Sequence, residues 1–326
     1  MSVKISSKLQ KSINNVCNIL VLAYLRVSMY KHLFFIFVLI SCNAFSQRTS
    51  KKQTKIHLGE HQKEVSHEHF KDFKLIMDML DSAKKVSYLR YNMKSAERVE
   101  TGYATATTKV KLQVHPRKSY LLNTDNKLEV LYNEELSAKA VVKPHVFPYF
   151  TMNLEPRGNL MRKNQHFTIM DIGFDFAAKT IAIALSKEKD QIAKHLTYVG
   201  KVEKNKMNCH LLMYENTEFG YHDYTVQHKE TVSSIAGKLT VNDYMIRCKN
   251  KLYDDYGYLK EGLTIKIPTF YCKKAIFYVD EKTMLPISVS IYDEVGLFES
   301  YDFFTLEVNK PIPAAEFKKE FKGYGF

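Results

Sequence analysis

Turn residues recur through much of this chain at a spacing that is typical of short, consecutive strands. Between Ser87 and Pro156, the clusters His115-Pro116, Asn123–Asn126 and Asn133-Glu134 separate runs rich in Val, Leu, Thr and Tyr. Turn clusters at intervals of roughly 8–12 residues indicate an antiparallel meander. The composition agrees, because 20 Phe and 21 Tyr with no Trp suit strands better than a helical bundle.

The same pattern predicts strands along most of the chain, interrupted by two helices. The predicted strands are Tyr103–Val114, Ser119–Leu122, Lys127–Tyr132, Lys139–Val142, Leu196–Val202, Asn208–Glu215, Tyr271–Asp280, Leu285–Tyr292 and Phe298–Val308. One helix is predicted at about Glu60–Lys85, where Phe70, Phe73, Met77 and Leu80 recur at helical spacing, and another at Phe167–Leu185. We therefore expect an α+β fold in which a curved antiparallel sheet packs on helices.

Residues 223–268 interrupt this rhythm. A short strand at Tyr224–Val226 leads into four apolar residues at the spacing of an amphipathic helix, Val232, Ile235, Ala236 and Leu239. A second helix ending near Lys249 and a strand at Thr264–Ile267 follow. The predicted order is βααβ, and because its two strands pair, its ends lie together and can replace the tip of a hairpin in a larger sheet.

This segment resembles the LysM family. The matching residues are Tyr224-Thr225-Val226-Gln227, Thr231-Val232-Ser233-Ser234-Ile235-Ala236, Asn250 and Gly262-Leu263-Thr264-Ile265-Lys266-Ile267-Pro268. The resemblance implies binding of N-acetylglucosamine-containing glycans such as peptidoglycan, in a groove between the first strand–helix loop and the second helix–strand loop. Carried over, the groove residues are Lys229, Glu230, Thr231, Val232, Asn250, Lys251, Leu252 and Tyr253.

The segment departs from the family pattern in both loops. Lys229 stands where the family has Gly, and a side chain there restricts the backbone where the sugar would approach. The second loop, Asn250 to Gly262, is longer than usual and carries Tyr253, Tyr256 and Tyr258. The alternative to glycan binding is therefore a degenerate LysM fold that contacts a protein.

The remainder of the chain resembles exported bacterial proteins related to the LolA and LolB lipoprotein carriers. The matching segments are Glu97-Arg98-Val99-x-x-Gly102, Val110-x-Leu112-x-Val114-x-Pro116, Thr283-x-Leu285-Pro286-Ile287, and Tyr292-Asp293-x-x-Gly296 leading to Tyr301, Asn309 and Phe317. The resemblance covers about 90–222 and 269–326, and it implies a half-barrel sheet around helices with an apolar cavity for acyl chains. We expect a host domain at 60–222 and 269–326, with the LysM domain inserted at 223–268.

The N-terminal region has the features of an export signal. Residues 1–28 are interpreted as an upstream extension and 29–46 as a signal peptide, because an apolar run from Leu33 to Ile40 precedes the small residues Ala44 and Ser46. Residues 47–59 are polar and basic and are interpreted as a linker. Two alternatives remain, namely a membrane anchor from Ile19 to Ile40 and lipidation at Cys42, which ends a lipobox-like Leu-Ile-Ser-Cys. Both the signal peptide and the lipobox predict export, and the LolA/LolB resemblance implies the periplasm or outer membrane of a Gram-negative bacterium as the destination.

The remaining chemistry gives no positive case for an enzyme. The sequence has no Gly-x-Ser-x-Gly, phosphate-binding loop or His-Glu-x-x-His motif, and no cofactor or metal site is predicted. The net charge of +13 is not accompanied by a nucleic-acid-binding motif, so nucleic acid is not a predicted partner. Cys209 and Cys272 lie on the predicted strands that flank the insertion, and a disulfide between them is a candidate.

The sequence therefore predicts a non-enzymatic cell-envelope protein. Its LysM segment would bind peptidoglycan or a related glycan, and its carrier-like host would bind lipid or lipoprotein acyl chains. The alternatives are a cell-wall scaffold or protein-interaction protein with a degenerate LysM segment and no lipid ligand, and a hydrolase whose site one sequence does not reveal.

Overall fold

A computed structural model describes residues 65–147, 149–188 and 192–326 of the chain. The predictions for residues 1–28, 29–46 and 47–59, including lipidation at Cys42, lie outside these residues. Among the helices in the part of the chain that is described, none is long and apolar enough to cross a membrane.

The part of the chain given above contains thirteen strands. They are β1 (Tyr88–Val99), β2 (Gly102–Gln113), β3 (Lys118–Asn123), β4 (Leu128–Asn133), β5 (Ala140–Pro144), β6 (Met152–Leu154), β7 (Leu196–Lys204), β8 (Met207–Glu215), β9 (Tyr221–Thr225), β10 (Thr264–Pro268), β11 (Lys274–Asp280), β12 (Pro286–Tyr292) and β13 (Leu297–Val308). Eleven of them form one sheet in the order β6-β5-β4-β3-β2-β1-β13-β12-β11-β8-β7, and its neighbouring strands pair antiparallel. The predicted large antiparallel sheet is confirmed, and it is open.

Within the described residues, six α-helices accompany the sheet. They are α1 (Val65–Lys84), α2 (Asn159–Arg162), α3 (Phe174–Glu188), α4 (Ile192–His195), α5 (Val232–Leu239) and α6 (Asp243–Asn250). The helix predicted from Phe167 begins only at Phe174. The preceding residues form a turn in which the Thr168 hydroxyl donates to Asp171 over 2.6 Å, and Gly173 has a φ of +93°.

The main apolar core lies between the helices and the sheet. Ile76, Met79 and Leu80 of α1 and Phe174 of α3 are buried against residues from both halves of the sheet, such as Leu112 and Leu212. Burial of each such side chain contributes about 1.5–3 kcal/mol relative to an exposed one. Gly173 is packed so closely that an added Cβ would lie 2.5 Å from a Leu112 methyl group, which allows α3 to approach the sheet.

Residues 221–268 form a separate small layer, here called the βααβ segment. Strands β9 and β10 pair antiparallel, with Tyr224 opposite Ile265. Helices α5 and α6 lie between these two strands in the sequence. The segment has its own buried apolar cluster, formed by Val226, Val232, Ile235, Ala236, Val241, Ile246, Leu259, Ile265 and Ile267. The structure thus has the strand–helix–helix–strand order expected from the sequence.

The strand register excludes the predicted disulfide between Cys209 and Cys272. Cys209 lies opposite Asp280 at one end of the β8–β11 pair. Lys274 lies opposite Glu215 at the other end, and the six steps from Lys274 to Asp280 span about 20 Å at about 3.3 Å per strand residue. Cys272 lies two residues before Lys274, so it is far from Cys209, and both cysteines are free thiols. A disulfide needs the two Cα atoms to lie within about 7 Å of each other, so the structure does not contain the predicted Cys209–Cys272 disulfide.

Candidate functional site

The predicted first loop of the glycan groove has a fixed conformation. Thr231 caps α5, because its side chain accepts from the backbone N–H of Ser234 over 3.1 Å and the Ser234 hydroxyl accepts from the Thr231 N–H over 2.8 Å. Val232 is fully buried in the segment's apolar cluster. Burial removes the Val232 side chain from contact with a ligand, and the Thr231 side chain shapes the loop as the helix cap.

Of the other two residues of this loop, Lys229 is exposed, whereas the Glu230 side chain is only 13% exposed. Lys229 has a φ of +56°, which is the left-handed conformation that Gly adopts without strain. The Glu230 carboxylate accepts from the Tyr224 hydroxyl (2.9 Å) and the Gln227 N–H (2.9 Å), and pairs with Lys238 (3.3 Å). Desolvation acts to raise the pKa of Glu230, but these hydrogen bonds and the lysine outweigh it and lower that pKa. Glu230 therefore stays ionised and fixed.

The predicted second-loop residues act mainly as internal braces. The Asn250 amide donates to the carbonyl oxygens of Ile246 (2.8 Å) and Lys266 (2.7 Å) and accepts from the Lys266 N–H (2.7 Å). Lys251 ends α6 in the left-handed conformation, and Leu252 packs against the segment's apolar cluster. This asparagine ties the end of α6 to β10.

Two of the three tyrosines in the longer second loop turn toward the large sheet and its connections. Tyr253 packs against the main core, with its ring 6.4 Å from that of Tyr244. The Tyr256 hydroxyl donates to the Arg162 carbonyl oxygen over 3.0 Å, and its ring lies under the guanidinium of Arg247 at 4.4 Å. Tyr253, which the resemblance assigns to the groove, thus packs against the main core.

The third tyrosine points outward, beside the contacts that join the two loops. The Leu259 N–H donates to the Glu230 carbonyl oxygen over 2.8 Å, and His228 pairs with Glu261 at 2.9 Å. Tyr258, which precedes Leu259, is 71% exposed. The surface formed by Gln227–Glu230 and Tyr258–Glu261 is here called the loop junction. The residues predicted from the sequence did not include Tyr258–Glu261, the second half of the loop junction. The extra length and the tyrosine content of the second loop were the sequence features that could have indicated it.

Polar groups also fix the segment to the rest of the molecule. Asp243, at the start of α6, binds the guanidinium groups of Arg162 in α2 and Arg247 in α6, each at 2.7 Å. Burial acts to raise the pKa of Asp243, but the two arginines and the Ser233 hydroxyl outweigh it and lower that pKa. Arg247 is fully buried, so the pair is held in a defined position.

A second contact joins α6 to the large sheet. His166 stacks on Tyr244 of α6, with ring centroids 4.2 Å apart, and packs beside Phe298 of β13. Beneath it, Glu97 of β1 and Glu299 of β13 are directly opposite each other in the sheet and both are buried. Two like charges directly opposite each other destabilise a sheet. Here the His166 ring contacts Glu299, with Nδ1 2.6 Å from its carboxylate, and the His166 backbone N–H donates to Glu97 over 2.9 Å.

Within the residues that the structure describes, no group of three or more His, Cys, Asp or Glu side chains is arranged to hold a metal ion. The His166–Glu97–Glu299 group is covered by aromatic rings, so its observed contacts are those of a buried structural network.

Comparisons with known proteins give fold-level similarities only. The sequence matches no protein family and no curated protein. Among solved structures, lipoprotein LppX from Mycobacterium tuberculosis is 12% identical, with a TM-score of 0.35 over 74% of this chain and 97% of LppX. LprF from Mycobacterium bovis is 8% identical, with a TM-score of 0.36 over 74% of this chain and 94% of LprF. A LolA superfamily protein from Nitrosomonas europaea is 9% identical, with a TM-score of 0.28 over 76% of this chain and 97% of that protein. These scores all lie below 0.5, so no function is transferred from these proteins.

Proposed function

We propose that this chain is an exported, non-enzymatic cell-envelope protein that binds peptidoglycan or a related N-acetylglucosamine glycan at the loop junction. In this proposal, residues 223–268 are a LysM domain inserted into a host domain formed by 60–222 and 269–326. The observation that carries it is the placement of Tyr258, whose exposed ring lies where two hydrogen-bonded loops meet.

The chemistry of the loop junction suits a sugar ligand. An exposed aromatic ring offers a flat apolar face on which the C–H face of a sugar ring can pack. Lys229, His228 and Glu261 belong to the same loop junction and supply hydrogen-bonding groups there, and the fixed loops lower the entropic cost of binding. One shallow surface with few contacts predicts weak affinity.

The test is retention of the full chain on insoluble peptidoglycan. Tyr258→Ala should weaken retention about tenfold, which corresponds to about 1.4 kcal/mol. Tyr149→Ala is the matched control, because Tyr149 is similarly exposed but lies outside the βααβ segment. Retention of wild type should survive moderate salt, which screens exposed charges. Equal retention of wild type and Tyr258→Ala would contradict the proposal.

Specific contacts favour the scaffold alternative as a second candidate. Asn250 is engaged by β10, and Tyr253 and Tyr256 are held against the rest of the molecule, so much of the second loop serves packing. A chain that binds no peptidoglycan but retains a folded segment would support a protein-contact function.

We further propose that the host accommodates acyl chains beneath α3. The supporting observation is that this helix is only partly covered: Phe174 and Ala178 are buried, whereas Ile183 is 38% exposed. An acyl chain would enter by separating α3 from the sheet. Solvent extraction of purified protein followed by mass spectrometry should recover lipid, and a lipid-free extract would count against this part of the proposal.

A further inference from the structure

The loop between β5 and β6 exposes a dense group of apolar side chains. Val146, Phe147, Tyr149 and Phe150 are 52%, 67%, 61% and 47% exposed. These four side chains are here called the aromatic tip. None belongs to the buried apolar clusters of the described residues. Contiguous exposed apolar groups are costly in water, and their concentration in one loop indicates a contact surface.

The aromatic tip is held in a defined conformation. The Tyr149 N–H donates to the Val146 carbonyl oxygen over 3.0 Å, and Phe147 and Tyr149 meet edge to face with centroids 6.5 Å apart. Tyr149 has a φ of +59°, a left-handed conformation that is strained for a residue with a side chain. The local hydrogen bonds thus maintain a strained turn that keeps the rings in solvent.

Charged groups near the tip come from two elements. The Lys143 ammonium group donates to the Tyr149 carbonyl oxygen over 2.5 Å, and the neighbouring β3–β4 turn carries exposed Lys127, whose carbonyl accepts from the His145 N–H. The acid in that turn, Asp125, accepts from the Thr107 N–H over 2.7 Å. The tip therefore combines an apolar end with a cationic border.

We propose that the aromatic tip inserts into the interfacial region of a lipid bilayer. Phe and Tyr favour this region because their rings are apolar or amphipathic, and lysines beside them face the phosphate groups. The loop lies at one end of the β4–β5 pair, because Leu128 lies opposite Pro144 there. It can therefore enter a bilayer surface while the remainder of the sheet stays in water.

The absence of Trp from the sequence makes a site-specific test available. Phe147→Trp places a single fluorophore in the tip of the full chain. Leu136→Trp is the matched control, since Leu136 has the same 67% exposure but lies in the turn at the other end of the β4–β5 pair. Each variant is mixed with vesicles of phosphatidylcholine and phosphatidylglycerol, with and without brominated acyl chains.

A shift of Phe147→Trp emission to shorter wavelength, with quenching by brominated chains, is the expected result, and Leu136→Trp should show neither. Unchanged Phe147→Trp emission would overturn the proposal. Equal changes in both variants would overturn it too, because adsorption would then involve another part of the chain. A shift that appears without vesicles and grows with protein concentration would assign the tip to a second copy of the chain.

Discussion

The Nδ1 atom of His166 lies 2.6 Å from a carboxylate oxygen of Glu299, and both side chains are buried. The Nε2 atom of the same ring lies 2.8 Å from the Arg98 carbonyl oxygen. The Arg98 carbonyl oxygen only accepts, so Nε2 donates to it. Burial acts to lower the pKa of His166, but the hydrogen bond and charge of Glu299 outweigh it and raise that pKa, which favours the imidazolium form. Glu97 accepts from the His166 backbone N–H and from the Tyr301 hydroxyl. The junction between α6 and the sheet therefore depends on a proton.

Protein stability should consequently fall as the pH rises above neutrality. Burial acts to lower the pKa of His166, but Glu299 and Glu97 outweigh it and raise that pKa. Burial also raises the pKa of Glu97. A group whose pKa is higher in the folded than in the unfolded protein contributes its full stabilisation at pH values below the unfolded-state pKa, which is about 6.5 for His. That stabilisation is lost as the pH rises through the folded-state pKa. Urea denaturation from about pH 6 to about pH 9 measures this loss.

The variant His166→Gln is the control for that pH dependence. It should lower the free energy of unfolding by about 3–5 kcal/mol near pH 6, because it leaves Glu97 and Glu299 without their cation. It should also flatten the decline toward alkaline pH. A variant as pH-dependent as wild type would show that other groups bind the proton.

At acidic pH, a different group should control stability. Glu316 pairs with Arg90 and Lys111, each at 2.7 Å, and the Arg90 hydrogen bond is the main cause that lowers the pKa of Glu316 to about 2. A carboxylate whose pKa is lowered in the folded protein stabilises it at pH values above the pKa of the unfolded state. That stabilisation is lost as the pH falls through the pKa of the folded state. Glu316→Gln should cost about 1.5–3 kcal/mol at neutral pH.

The matched control for Glu316→Gln is Glu307→Gln. Glu307 also approaches Arg90, at 4.0 Å, but its side chain is 41% exposed. Its loss should cost about 1 kcal/mol or less, because solvent screens the pair. Chemical denaturation at pH values from about 7 down to about 2 compares the two variants. Equal losses would mean that burial of the Glu316 pair has no special effect.

The sequence predicted most strands but missed β1, and the reason is visible in its side chains. Tyr88–Val99 alternates imperfectly, because Glu97 lies on a buried face where an apolar residue is expected. Its charge is compensated by His166, which lies far away in the sequence, in an irregular segment. Local periodicity cannot show such a partner, so the strand and the network were missed together.

The family pattern names one half of the proposed loop junction and not the other. It names the first loop, where Lys229 adopts the left-handed conformation that glycine favours. It did not locate Tyr258, because the longer second loop has no counterpart in the pattern. Which of the three tyrosines stays exposed is decided by contacts with Arg162 and the main core, and these arise only in the folded molecule.

The C-terminal tail should depend on Gly325. Its N–H donates to Glu129 over 3.0 Å, and an added Cβ would overlap the His145 ring. Gly325→Ala should therefore release the tail, break the stack of Tyr324 on Tyr120 at 3.7 Å, and leave the central sheet folded. Hydrogen exchange should show faster exchange for residues 319–326 than in wild type. Gly220→Ala is the control, since a Cβ there meets no atom within 4 Å. Unchanged exchange in Gly325→Ala would show that the tail accommodates the methyl group.

Lys229→Gly should stabilise the βααβ segment. The φ of +56° at Lys229 costs about 1–2 kcal/mol for a residue with a side chain, and Gly removes that cost. Gly also increases the entropy of the unfolded chain, which offsets about 0.4–1 kcal/mol, so the net gain should be about 0.5 kcal/mol. Lys260→Gly is the control, because Lys260 is exposed in the neighbouring loop without a positive φ, and it should lose stability through the same entropy term. Urea denaturation of the two variants should give changes of opposite sign, and a loss in both would show that the Lys229 conformation carries no strain.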